Sequence, residues 1–96
     1  MTTPGGMQIS TFFVLMAQYN ATVIPIDRVA KDFFAPLTTE NLMRKILVGQ
    51  IALPIIRMDH RSQKSARAVH IADLAAFIDE ARAKALKERD QLCGKS

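Results

Sequence analysis

The sequence of 96 residues predicts a mainly α domain with a small β-hairpin, an α+β fold. Apolar residues recur at helical spacing in several segments, and two β-prone segments flank a polar loop in the second half of the chain. The apolar fraction of 49% is enough for one hydrophobic core, so we expect a single domain over residues 9–92. Residues 1–8 are expected to form a disordered leader and residues 93–96 a C-terminal tail.

The first predicted helix covers residues 9–20. Its apolar residues fall at helical spacing, and Asn20 is a suitable C-terminal stop. The residues of this stripe are Phe12, Leu15, Met16 and Tyr19. A buried strand stays open as an alternative, because the segment Thr-Phe-Phe-Val is also rich in residues that favour strands.

A second, shorter helix is predicted over residues 28–34. Val23-Ile24 is expected to be extended, because Pro25 disfavours a helical conformation of the residue before it. Asp27 is a good N-cap for the helix, and Ala35-Pro36 ends it.

The third helix is predicted over residues 38–48, with Thr38 or Thr39 as its N-cap and Gly49 as a left-handed stop. Its buried stripe is expected to consist of Leu42, Ile46 and either Met43 or Leu47. The outer face then carries polar and charged residues, namely Thr39, Glu40, Asn41, Arg44 and Lys45.

A hairpin and a long helix complete the chain. Residues 51–58 are β-like, and Pro54 makes this strand an edge strand or bends it, because proline lacks a ladder donor. A polar loop over residues 59–67 leads to a returning strand over residues 68–71. The last helix, over residues 72–92, has Asp73 in its first turn, which suits the helix dipole. Its expected apolar stripe consists of Leu74, Ala75, Ile78, Ala81, Ala85 and Leu92.

The order of these elements is that of a winged helix-turn-helix, here with an additional N-terminal helix and a long C-terminal helix. The charge distribution fits a polyanionic partner. The formal net charge is +4, and residues 38–67 carry all of it, because the segments on either side are balanced. A basic patch of this kind is typical of proteins that bind nucleic acid, although a solvated loop that binds nothing has the same composition.

The composition is not typical of an enzyme, a metalloprotein or a membrane protein. The chain has two histidines and one cysteine, too few for a typical zinc site. Gly94-Lys95-Ser96 resembles the end of a phosphate-binding loop, but Arg89 stands where that motif requires its first glycine. We therefore expect no catalytic residue, cofactor, metal or small-molecule ligand. The single cysteine and the lack of an apolar run of about 20 residues are typical of a cytoplasmic protein without a membrane partner.

The outer face of the third helix and the polar loop have the chemistry of a DNA-binding surface. Asparagine and arginine can hydrogen-bond to base edges in the major groove, and a basic loop can lie along the phosphate backbone as a wing. The candidate residues of the recognition helix are Thr38, Thr39, Asn41, Arg44 and Lys45. Those of the wing are Arg61, Ser62, Gln63, Lys64, Ser65 and Arg67.

The most specific sequence feature is the run Ser-Gln-Lys-Ser-Ala at residues 62–66, followed by His-Ile-Ala-Asp-Leu-Ala at residues 70–75. With these runs, residues 12–92 resemble the pyocin activator (PrtN-type) protein family. The other segments that carry the resemblance are residues 13–19, 23–34, 37–38, 44–57 and 69–79. More loosely, residues 23–79 look like the winged helix of excisionases and MerR-type proteins. The resemblance implies a small transcriptional activator of prophage or phage-tail-like bacteriocin genes that binds repeated DNA boxes upstream of them.

The expected partner is double-stranded DNA at promoter boxes, with RNA polymerase as a further candidate. One wing unit contacts few phosphates, so a homodimer or tandem copies on DNA are expected. The candidate dimer surfaces are the first helix and the C-terminal half of the last one. Two alternatives stay open. An excisionase-like architectural factor would bend DNA with the same surface, and a phage protein-binding adaptor or antirepressor would set the basic patch against an acidic protein.

Overall fold

The computed structural model describes residues 10–57 and 67–94 of the chain. This part contains four α-helices and a three-stranded antiparallel sheet, which confirms the predicted α+β class. The elements in chain order are α1 (Thr11–Tyr19), β1 (Val23–Pro25), α2 (Ile26–Phe33), α3 (Thr39–Leu47), β2 (Ile56–Arg57), β3 (Arg67–His70) and α4 (Ile71–Leu92).

Helix α1 settles the first open alternative in favour of a helix. The Ser10 hydroxyl accepts a hydrogen bond from the Phe13 N–H at 3.1 Å, so the helix has a side-chain N-cap. Asn20 ends it in the left-handed conformation with φ 52°, as predicted. The strand alternative for this segment is therefore wrong.

Helix α1 packs along the first half of α4. At one end of the pair, the Thr11 hydroxyl donates a hydrogen bond to the Asp79 carboxylate. Near the other end, the Ile71 N–H donates to the Thr22 carbonyl at 2.8 Å. The two helices therefore run antiparallel. Beyond Asp79, no described helix accompanies α4, and its second half projects from the body.

The sheet has β3 in the centre, with β1 on one side and β2 on the other. The predicted edge position of the strand after Pro54 is confirmed, but the predicted strand over residues 51–58 is too long. Among its described residues only Ile56–Arg57 are paired, because Pro54 cannot donate to a ladder and Leu53 turns into the core. The returning strand starts at Arg67, and Ile71 belongs to α4.

Helix α2 begins two residues earlier than the predicted start at residue 28, so the predicted N-cap at Asp27 is wrong. Pro25 occupies the cap position without a side-chain hydrogen bond to the first turn, and its fixed φ suits the passage from β1 into the helix. Ile26 is buried as the first residue of the helix. Asp27 lies in the first turn, where its charge suits the helix dipole.

The hydrophobic core lies between the sheet and the inner faces of the helices. Its fully buried large side chains are Ile24, Val29, Leu42, Val69, Ile71 and Leu74. Helix α4 begins at a cap formed by His70, whose Nδ1 accepts from the Ala72 N–H at 3.0 Å. Ala81, Ala85 and Leu92 of the expected apolar stripe are exposed, because they lie on the projecting half of α4, where Leu92 is 88% exposed.

Candidate nucleic-acid interface

Helix α3 has well-defined ends. The Thr38 hydroxyl accepts from the Asn41 N–H at 3.2 Å, which makes Thr38 and not Thr39 the N-cap. At the other end, the Gln50 N–H donates to the Lys45 carbonyl at 2.9 Å and the Gly49 N–H to the Ile46 carbonyl at 3.1 Å. This is a Schellman motif, and Gly49 has the left-handed φ of 83° that it requires, as predicted.

The inner side of α3 fixes which face is presented to solvent. Leu42 and Met43 are buried in the core, and Ile46 is partly buried against it. Leu47 is 70% exposed, so Met43 and not Leu47 completes the buried stripe. The opposite face is therefore the one available to a partner.

The structure brings together the predicted residues of the recognition helix. Asn41 and Arg44 are exposed, and Arg44 Nη1 donates to Asn41 Oδ1 at 3.0 Å. Lys45 is partly buried, and its Nζ donates to Gln50 Oε1 at 3.3 Å. Thr39 is partly buried, whereas Thr38 uses its hydroxyl oxygen as the cap of α3.

A shallow groove of about 400 Å³ runs beside this face. Its lining joins three predicted residues to others that the sequence does not indicate: Leu37, Asn41, Arg44, Lys45, Val48 and Gln50. Gln50 reaches the groove because the Schellman motif turns the chain back past Lys45. Val48, which is 65% exposed, supplies an apolar wall. The sequence feature that could have indicated Gln50 is its position directly after Gly49, the glycine that ends α3.

The predicted wing falls mostly outside the described residues. This holds for Arg61, Ser62, Gln63, Lys64 and Ser65. Arg67 is the first residue of β3 and lies directly opposite Arg57 of β2. Arg57 is thus a basic residue next to the predicted wing that the sequence does not place among the candidates.

The Arg57–Arg67 pair places two like charges at directly opposed positions of an antiparallel ladder, an arrangement that costs free energy when no anion is present. Arg57 is exposed, whereas Arg67 is partly buried and its Nε has no hydrogen-bond partner among the described residues. The ion pairs within the described residues involve Arg28 and Arg89 instead. The paired strands β2 and β3 therefore offer donors to an anion at this position.

A separate polar cluster joins α1 to α2 and is structural in character. The Tyr19 hydroxyl donates to an Asp32 carboxylate oxygen, and Arg28 approaches the same carboxylate at 3.4 Å. The Arg28 guanidinium also lies over the Tyr19 ring, 5.3 Å from its centroid. Burial, followed by the bond to Asp32, raises the pKa of Tyr19 from 10.0 to about 12. The Tyr19 bond and the Arg28 charge lower the pKa of Asp32 below its ordinary 3.8.

This cluster gives a pH-dependent contribution to stability. The folded-state pKa of Tyr19 lies above the unfolded value, so its contribution is complete below pH 10.0 and is lost as the pH rises toward about 12. The contribution of Asp32 has the opposite sign, because it is present above pH 3.8 and is lost as the pH falls below that value.

The tyrosine titration can be measured directly, because the chain has one tyrosine and no tryptophan. We expect the tyrosinate absorbance to rise with a midpoint near pH 12 in the folded chain and near 10.0 in the urea-denatured chain. Asp32→Asn is expected to lower the folded midpoint only part of the way, since burial is the larger cause. Asp27→Asn, on the same helix, is the control and should change nothing. A midpoint at pH 10.0 in the folded chain would contradict the burial of Tyr19 and its bond to Asp32.

Comparison with known proteins gives one family. The sequence profile described as pyocin activator protein PrtN matches residues 11–85, which is most of the chain. No similar curated protein and no similar solved structure was found. In the described part of the chain, no helix has the length and hydropathy that a membrane crossing requires.

Proposed function

The chain belongs to the pyocin activator (PrtN) family, and from this premise we propose that it activates prophage or pyocin-type genes by binding specific sequences in double-stranded DNA. The family consists of regulatory activators and is not an enzyme family. In the proposed complex, the recognition helix over residues 38–48 enters the major groove and the wing over residues 59–67 follows the phosphate backbone.

The observation that carries the proposal is the arrangement of the outer face of α3. Asn41 and Arg44 are exposed and bonded to each other, and Lys45 follows on the same side of the helix. Leu42 and Met43 anchor the opposite face in the core, so the polar face is held outward. The major groove of DNA admits one α-helix, and side chains of these types recognise base edges there.

Arg57 and Arg67 support the second contact of the proposed complex. Arginine binds phosphate with a planar fork of donors, and the Nε of Arg67, which has no partner among the described residues, is a donor that a phosphate oxygen could accept from. A phosphate between the two guanidinium groups would also remove their mutual repulsion. We therefore add Arg57 to the wing residues that were expected to contact the backbone.

The salt dependence of binding tests this contact. We expect Arg57→Gln to weaken binding to all duplexes alike and to reduce the slope of log K against log salt by about one unit, because one phosphate contact is lost. Lys64→Ala, in the wing, should do the same. Anisotropy titrations over a salt series measure the slope. Arg82→Gln removes a charge from the exposed half of α4 and is the control. An unchanged slope for Arg57→Gln would rule out its phosphate contact.

We further propose that two copies of the chain act together on DNA. Helix α1 has no charged residue, and its outer side leaves Phe12, Phe13 and Val14 exposed. Exposed apolar side chains that lie together on one helix are typical of an interaction surface. A second copy fits as the cover, since specific DNA binding by small units usually needs two half-sites.

Sedimentation of the free chain tests this arrangement. We expect a dimer for the unmodified chain and a monomer for Phe13→Glu, because a charge at this exposed position would be buried in the interface without a partner. Gln18→Glu adds the same charge to an exposed polar position of α1 and should leave the dimer intact. A free chain that is monomeric at all concentrations would contradict the dimer through α1. The two copies would then have to bind side by side on DNA without a dimer in solution.

One specific observation favours a different function. Leu47 and Val48 are both largely exposed at the end of α3, and adjacent exposed apolar residues are typical of protein contacts. A protein-binding adaptor would use this patch together with the basic residues. A gel shift with genomic fragments at low salt separates the two, since an adaptor would shift no DNA. Bending of DNA without gene activation would instead indicate an architectural factor.

A further inference from the structure

We infer that the groove beside α3 selects a guanine in the major groove of its DNA site. The inference rests on the proposed function, because it assumes that α3 meets DNA. It adds the identity of one base and the side chains that read it. Arg44, Asn41 and Gln50 are the residues to which we assign this role.

The hydrogen bonds inside the groove determine its polarity. Asn41 Oδ1 accepts from Arg44 at 3.0 Å, and Gln50 Oε1 accepts from Lys45 at 3.3 Å. Arginine and lysine have no acceptor, so neither amide can reverse its orientation without losing its bond. Each amide oxygen therefore uses one of its two lone pairs on a cation, and both amide NH₂ groups are left as donors.

The remaining groups of the groove are donors as well. Arg44 has further guanidinium N–H groups and Lys45 has further ammonium N–H groups beyond the bonds described. Glu40, the acidic residue of α3, is not part of the groove lining. Leu37 and Val48 contribute apolar walls without polar side-chain atoms. The side chains of the groove thus present more donors than acceptors, together with two positive charges.

The four bases differ in how they meet such a surface. Guanine presents two acceptors, N7 and O6, to the major groove, whereas adenine presents one acceptor and one donor. Cytosine presents a donor, and thymine presents one acceptor beside a methyl group. Only guanine offers two acceptors to a set of donors without adding a donor of its own. The preference should therefore be strongest for guanine.

The test starts from a random-sequence duplex pool that is selected on the full chain. We expect the selected sequences to share at least one fixed guanine. Replacing it by 7-deazaguanine removes the N7 acceptor and keeps O6, so binding should weaken toward the lower end of the roughly 5- to 150-fold range for a lost bidentate base contact. Inosine keeps N7 and O6 and changes only the minor groove, so the inosine duplex should bind within about twofold of the guanine duplex.

A variant then assigns the contact to the groove. Arg44→Ala should bind the guanine and 7-deazaguanine duplexes equally, because it lacks the fork that reads N7 and O6. Arg82→Ala, outside the groove, should keep the full preference.

Three results would overturn the inference alone: selected sequences without a fixed guanine, equal losses with inosine and 7-deazaguanine, or an Arg44→Ala variant that still discriminates. Failure to retain any duplex would overturn the proposed function and the inference together.

Discussion

Arg44→Ala is expected to lower the affinity for a specific duplex by about 1–3 kcal/mol, while binding to unrelated duplexes falls much less. The side chain is exposed and, among the described residues, its bond is to Asn41, so its removal should leave the fold unchanged. The affinity is lost because Arg44 contacts a base in the proposed complex and also holds the Asn41 amide in place. Fluorescence anisotropy with one specific and one scrambled duplex measures both affinities.

Arg44→Lys is the matched control for charge. It keeps the positive charge but lacks the planar fork, so the affinity for unrelated duplexes should recover while the specific affinity stays low. Equal losses on both duplexes for Arg44→Ala would show that Arg44 contacts the backbone and not a base. No loss on either duplex would remove α3 from the interface.

Leu42→Ala is expected to lower the free energy of unfolding by about 2–5 kcal/mol, the usual cost of a large cavity in a core. Leu42 is 0% exposed and belongs to the core cluster that holds α3 against the body. A domain of this size is stable by only about 5–15 kcal/mol, so this variant loses a large share of its stability. Urea unfolding followed by circular dichroism measures the change.

Leu47→Ala provides the same substitution on the same helix at a position that is 70% exposed. Its expected effect on the free energy of unfolding is within about 0.5 kcal/mol, as for most surface positions. If Leu47→Ala were as costly as Leu42→Ala, the orientation of α3 would be wrong. The face assigned to DNA would then be wrong with it.

The elements that the sequence predicts well are those with local signals. Thr38 and Gly49 mark the two ends of α3 by cap chemistry, and Asn20 marks the end of α1 in the same way. The helical period of α3 then places Asn41, Arg44 and Lys45 on one outer face. No long-range contact is needed for these predictions.

The elements that the sequence predicts poorly depend on tertiary contacts. The apolar stripe of α4 is continuous in sequence, but only its first half has a packing partner in the described structure. The length of β2 depends on where Leu53 enters the core. The apolar periodicity of the sequence indicates neither where α4 loses its packing partner nor where β2 begins.

The same division holds for the candidate site. Gln50 enters the groove only because the Schellman motif folds the chain back onto Lys45. Arg57 comes to lie opposite Arg67 only through the register in which β2 pairs with β3. Such pairs are set by three-dimensional geometry, whereas the residues of one helix face are set by spacing along the chain.

Binding of the full chain to genomic DNA fragments, in the presence of excess unrelated competitor DNA, tests the central claim most directly. We expect the chain to retain fragments from upstream of prophage or pyocin-type genes, and Arg44→Ala to retain them far less. The absence of any retained fragment, even at low salt, would contradict DNA binding through α3.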